Sequence, residues 1–251
     1  MKRFCLSIAF ICLNIILTSC SHTTIRSSAG FEASLNQSKR AVILPPIVEV
    51  KKFNLGSSER VYGYEGHLEA ILVEELAKSL EEKGYKTYIL SRREMHNAKI
   101  TGQMNMMEES YISEIQKIYK SDLLDSKIAH ATEMNLENPF AKSPFFMGGD
   151  ILVYPEYYFW YRSSASNTLA FAARIIGRST NYNPETDWSE KYVLRVSLID
   201  PVKCNLLWSN FARSYSDAID SALTSKKSNT QVDTKRIKAL SKYLFKELPA
   251  R

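Results

Sequence analysis

The sequence predicts an α/β domain, a mixed sheet covered by helices, and three observations carry that expectation. Ala41-Val42-Ile43-Leu44, Pro45-Pro46 and Ile47-Val48-Glu49-Val50 form an apolar, β-branched stretch of the kind that builds a strand buried on both faces, bending or ending at the prolines. Leu68, Ile71, Leu72, Leu76 and Leu80 then recur at helical spacing, with Glu74, Lys78 and Glu81 on the opposite side. Near the C-terminus, residues 191–200 and 206–215 flank the turn Asp200-Pro201-Val202-Lys203 and predict an antiparallel hairpin.

Taken in order, residues 1–19 read as a secretory leader. Met1-Lys2-Arg3 is basic, residues 4–17 are apolar, and small residues precede Cys20; the run is close to the shortest that spans a bilayer. Residues 20–39 are polar and rich in Ser and Thr, which predicts a flexible tether reaching about 25 Å on average and no more than about 65 Å. A single domain is expected over 40–251. Its first helix is capped by Gly84 and followed by a strand at 87–91.

Ile112, Ile115, Ile118 and Tyr119 predict a second amphipathic helix, and Ser121-Asp122 can cap a third through residues 123–134. Residues 135–149, with two prolines and two glycines, read as loop. Asp150 opens the longest β-prone run of the chain. Residues 163–190 resemble an insertion whose apolar part fits a helix or a strand equally well. The last helix has Ile237, Leu240, Leu244 and Leu248 on its apolar face, Asp233 or Thr234 at its cap and Pro249 at its stop.

Charge narrows the function classes. Loss of Lys2 and Arg3 with the leader leaves 31 basic against 27 acidic side chains, a net charge of +4. This mild bias suits anionic headgroups or wall polymer better than nucleic acid, and no nucleic-acid partner is predicted. Cys5 and Cys12 leave with the leader, so beyond Cys20 only Cys204 remains, flanked by apolar Leu206 and Leu207 and read as a buried thiol.

The tools of an enzyme are missing from the sequence. His22, His67, His96 and His130 include no pair at metal-ligand spacing, and there is no G-x-S-x-G, Walker or calcium loop. Glu74-Glu75, Glu81-Glu82 and Glu108-Glu109 are helical neighbours that point about 100° apart, so they make no carboxylate dyad. The sequence therefore predicts no catalytic residue, cofactor or metal.

Two surfaces stand out. Alternation along the aromatic strand places Val153, Tyr157, Phe159 and Tyr161 on one face and Tyr154, Tyr158 and Trp160 on the other. The second set is a candidate partner surface, with burial by the protein itself and stacking on saccharide as the competing uses. On the last helix, Lys238, Lys242 and Lys246 recur every four residues, with Lys235 and Arg236 nearby, as a candidate membrane-facing stripe.

Leu17-Thr18-Ser19-Cys20 resembles the lipobox of bacterial lipoproteins. That resemblance implies a diacylglyceryl thioether on Cys20, cleavage before it, and acylation of the freed amine, with palmitate-type chains as the membrane anchor. Ser21 in place of the family's Asp retention signal implies the periplasmic face of the outer membrane. AVILPP, the helix ending at Gly84-Tyr85, the strand opening Asp150-Ile151-Leu152-Val153 and the hairpin SLIDPVKCNLLW resemble the small α/β domain of outer-membrane lipoproteins. That group includes the curli-secretion lipoprotein, penicillin-binding-protein activators and the amino-terminal domain of the Tol propeller protein. The resemblance implies a lipid-anchored binding or assembly module of an envelope machine for secretion, surface assembly or wall synthesis, acting on an envelope protein or by self-assembly. A cell-wall-directed enzyme or saccharide-binding protein is the alternative.

Overall fold

A computed structural model describes residues 25–27, 31–37, 40–120, 128–130, 150–163, 165–166, 188–201, 205–217 and 230–250. The strands are β1 (Ile25–Ser27), β2 (Arg40–Ile43), β3 (Ile47–Asn54), β4 (Ser57–Arg60), β5 (Thr87–Ile89), β6 (Ile128–His130), β7 (Asp150–Arg162), β8 (Trp188–Asp200) and β9 (Asn205–Asp217). The helices are α1 (Phe31–Gln37), α2 (Tyr62–Glu81), α3 (Arg92–Asn97), α4 (Thr101–Lys120) and α5 (Thr230–Leu244), with a 3₁₀ turn at Phe245–Glu247. Strands and helices together make the predicted α/β fold, a mixed sheet covered by helices.

The sheet runs β4-β3-β7-β8-β9-β1-β6, with β2 between β5 and the first part of β7. β2 and β3 are one line of chain broken at the double proline, and both run parallel to β7. Ile43 is opposite Val153 and Ile47 opposite Glu156, four residue steps against three. The extra residue reverses the alternation, as a bulge must. Val42 and Leu44 therefore point to one face and Val48 and Val50 to the other. At the start of β2 the Arg40 guanidinium grips the buried Asp150 carboxylate at 2.9 and 3.0 Å, tying the two strands in register.

One face is covered by α1, α2 and α5. Leu68, Leu72 and Leu76 of α2 and Ile237, Leu240 and Leu244 of α5 pack on Val153, Tyr157 and Leu194 of the sheet. The other face is covered by α3 and α4 through Met95, Met104, Met107, Tyr111 and Ile115, over Leu152 and Tyr154. α2 ends as its sequence directs: Gly84 takes a φ of +88° that other residues avoid, and Tyr85 N donates to Leu80 O at 3.1 Å. β8 and β9 form the predicted antiparallel hairpin, interrupted near Leu198 by a bulge.

Two expectations are corrected. The segment expected as a flexible tether contains β1, paired with β9 and β6, and α1, whose Phe31 and Leu35 are in the core. Two apolar side chains four apart suffice to dock one helical turn, which a composition-based reading overlooks. Ile128–His130, expected as helix, is a strand parallel to β1, because an available sheet edge overrides weak helical propensity. Cys20, His22, Cys204, the 135–149 loop and most of the 163–190 insertion lie outside the described residues.

Candidate functional site

β7 passes through the centre of the sheet, so its two rows of side chains meet different environments. Tyr157 and Phe159 are buried under the α2 and α5 layer, where Phe159 stacks on Tyr192 with ring centroids 4.6 Å apart. The opposite row is Leu152, Tyr154, Glu156, Tyr158 and Trp160, and its burial falls off along the strand.

Tyr154 is not a surface residue. It is 1% exposed, its ring 4.5 Å from that of Tyr111 on α4, and burial first, then the nearby Glu108 carboxylate, pushes its phenol far above its ordinary range. The expectation of a partner role for Tyr154 is corrected: α4 begins at Thr101, eleven residues before Ile112, the first residue of the apolar pattern that predicted it, and reaches over this part of the sheet.

Next along the row comes a charged cluster that the sequence reading missed. Glu156 is fully buried, and its carboxylate accepts from Tyr111 Oη at 2.6 Å, Tyr158 Oη at 2.8 Å and Arg195 Nε at 2.5 Å, with Arg195 Nη2 closing a second bond. Ser197 Oγ lies 2.7 Å from the Tyr111 hydroxyl and donates to Ser209 Oγ at 2.9 Å. Burial is the largest influence on Arg195 and opposes its charge, yet the bond to Glu156 together with the fields of Tyr111, Glu156 and Tyr158 outweighs it, and the guanidinium is held more firmly protonated than usual. Burial, then Glu156, raises the phenols of Tyr111 and Tyr158. The signal was in the sequence: an acid in the middle of a strand whose other residues are apolar or aromatic must find a partner if it faces inward.

Tyr158 and Trp160 are half-buried and held in place. Trp160 Nε1 donates to Glu49 Oε1 at 3.1 Å, and Lys51 Nζ closes on the same carboxylate at 2.9 Å. The Lys191 ammonium lies 4.9 Å above the Trp160 ring, and the rings of Tyr158 and Phe53 meet it edge-on at 6.1 and 6.4 Å. Lys51 and Lys191 flank Trp160 because the register of β3 and β8 places them directly opposite it. The result is an aromatic centre with a cation and an acid at fixed positions.

The lysine stripe is where the sequence placed it. Lys235, Lys238, Lys242 and Lys246 are exposed, opposite buried Ile237, Leu240 and Leu244. Arg236 turns inward instead, stacking on Tyr192 at 4.4 Å and pairing with Glu190 at 2.9 Å. Asp233 is buried and accepts a hydrogen bond from Tyr64 of α2.

The described histidines are dispersed. His67 is exposed on α2, His96 is exposed in the last turn of α3, and His130 belongs to β6 at the far edge of the sheet. Among the described residues no three His, Cys, Asp or Glu side chains are grouped to hold a metal, and no helix is long and apolar enough to cross a membrane.

No known protein family matches the chain, and no curated protein matches it. Among solved structures, the PelC dodecamer from Paraburkholderia phytofirmans superposes on 92% of this chain and 99% of that chain, with a TM-score of 0.39 and 8% identity. A point variant of the same PelC gives the same coverage and TM-score at 10% identity. Likeness at that level carries no argument about this protein.

Proposed function

We propose that this chain is a lipid-anchored envelope lipoprotein whose domain works without catalysis, as a docking module for a protein of the periplasmic or outer-membrane machinery. The observation that carries the reading is the pose of Trp160 and Tyr158. Two half-buried aromatic rings are fixed by Glu49 and Glu156 on the part of the sheet beyond Tyr154. Rigid aromatics of this kind lose little conformational freedom on binding and dominate the energetics of protein interfaces. Cys20, as the lipidated residue, would confine the domain to the outer membrane's periplasmic face and raise its effective concentration near the partner. The partner is an envelope protein or another copy of the chain.

In-cell crosslinking of the full-length lipoprotein, with mass spectrometry of the adducts, tests this. Trp160→Ala should remove a reproducible envelope-protein adduct while leaving the melting temperature within a few degrees. Tyr154→Ala serves as the core control and should lower stability by about 3 kcal/mol or more. Recovery of wall fragments alone, lost in the Trp160 variant, would instead support the saccharide-binding alternative.

A further inference from the structure

α5 presents one chemistry to the sheet and another to solvent. Its apolar side rests on β8 and β9, where Leu244 O also accepts from Asn210 Nδ2 at 2.9 Å. Its outward side carries Lys235, Lys238 and Lys242, and the 3₁₀ turn that continues it carries Lys246; counted at 100° per residue the four fall within an arc of about 80°. Along the axis the four span about 17 Å. α5 itself holds one acid, Asp233, buried on the other side, and the 3₁₀ turn adds the exposed Glu247, which the same helical count places off the lysine arc. Among the described residues, none of the four lysines takes part in an ion pair. Exposed carboxylates on the neighbouring α2 are occupied: Glu74 holds Lys78 at 2.8 Å and Glu81 accepts from Thr87. Lys83 adds a further cation at the seam, where its ammonium donates to the carbonyls of Lys246 and Leu248 at 3.2 and 2.8 Å.

The path of the N-terminal arm gives this face its location. α1 belongs to the same helical layer as α5: Phe31 stacks on Trp208 at 6.5 Å, and Trp208 stacks on Phe245 at 6.1 Å, directly after α5. β1 pairs with β9, the strand that α5 covers, whereas α2 lies over β2, β3 and β5. The basic helix is thus the one beside the anchor strand. From Ile25 back to Cys20 there are five residues, no more than about 17 Å of extended chain.

We infer that α5 lies along the anionic surface of the membrane that holds the lipid, with Lys235, Lys238, Lys242 and Lys246 against the headgroups. This rests on the lipid anchor of the proposed function and deepens it. With the α5 layer against the membrane, the opposite sheet face, with Tyr158 and Trp160, is turned away from it toward partners. Lipid headgroups are the occupant because the face is cationic along its length and within a short leash of the acylated residue.

Lysine acetylation footprinting on the full-length lipoprotein in vesicles decides the matter. In phosphatidylglycerol-containing vesicles, Lys238, Lys242 and Lys246 should react at least about fivefold more slowly than in pure phosphatidylcholine vesicles. Lys99, on the opposite face, should react equally in both, and high salt should erase the difference. Equal reaction of the stripe in both vesicles overturns the inference. So does protection that persists in uncharged detergent micelles, which marks a protein contact. A triple Lys238→Gln, Lys242→Gln, Lys246→Gln variant, which removes no ion pair and should melt normally, must lose the protection of Lys235. The mass of the Cys20 peptide is read in the same experiment, so an unacylated cysteine sinks the anchor while a lipidated chain with an unprotected stripe sinks only the docking.

Discussion

Arg195 grips the fully buried carboxylate of Glu156 with both ends of its guanidinium fork, on the face of the sheet where α4's cover gives way to the aromatic surface. The pair fastens β7 to β8 directly opposite one another, and Tyr111 extends the cluster to α4. A carboxylate in that place needs its donors, because breaking a buried pair leaves a charge that neither water nor protein satisfies.

Arg195→Met should therefore lower unfolding stability by about 3 to 5 kcal/mol. Glu156→Met combined with it should recover most of the loss, since an apolar pair of similar volume replaces a buried ion pair at little cost. Urea denaturation of the single and double variants measures both. A single variant as stable as the parent would mean that the carboxylate is solvated.

Alkaline pH should unfold the domain through its tyrosines. Burial is the first cause that raises Tyr111, Tyr154, Tyr157 and Tyr158 above the ordinary phenol value of 10.0, and neighbouring carboxylates add to it. The folded state keeps these protons while the unfolded state releases them, so fewer protons are bound on unfolding. The stabilisation is complete below about pH 10 and falls by about 1.4 kcal/mol per tyrosine for each further pH unit. Tyrosinate absorbance should rise for the exposed phenols first and then jump together with the loss of circular dichroism. A single smooth titration with the fold intact would contradict this.

Removing one residue from the Pro45-Pro46 break should be worse than replacing it. β2 and β3 use the extra residue to reverse which side chains face α2. Deleting Pro46 restores simple alternation and turns Val48 and Val50 away from the core that contains Leu68 and Leu72. The deletion should abolish cooperative thermal melting, whereas Pro46→Ala, with the count unchanged, should lower stability by no more than about 1 kcal/mol.

Phe31→Ala tests whether the N-terminal arm belongs to the domain. Its ring is buried and stacked on Trp208. Loss of the ring should cost about 3 kcal/mol and expose backbone amides of 25–27 and 31–37 to rapid hydrogen exchange. If exchange there is already fast in the parent, the arm is a tether after all.

Much of the architecture was legible because burial imposes a period on the sequence. The 3.6-residue repeat of Leu68, Leu72, Leu76 and Leu80, the cap at Gly84, the alternation through β7 and the hairpin of β8 and β9 each have a local physical cause, and each formed as expected. Further local signals were present and unread. Ser91 and Glu94 form a reciprocal capping box that starts α3, and Met104, Met107, Tyr111 and Ile115 continue the apolar face of α4 upstream.

Alternation along β7 separated Tyr154, Tyr158 and Trp160 from Tyr157 and Phe159 without assigning the three the same fate. Tyr154 is core and Trp160 is half-buried because α4, far away in sequence, ends its cover between them. The partners of Glu156 come from β8 and α4, and the ordering of residues 25–37 depends on Trp208 and on the edge of β9. The sequence by itself determined the principal elements (α2, α5, β7 and the β8–β9 hairpin), their apolar faces and the lysine row that runs from α5 into the 3₁₀ turn, all set by contacts within one helix, strand or hairpin. Only the tertiary structure decided which aromatic face stays covered, how the buried charge is satisfied and where the N-terminal arm docks, because those energies arise between different elements, from about 40 residues apart for Glu156 and Arg195 to about 180 for Phe31 and Trp208.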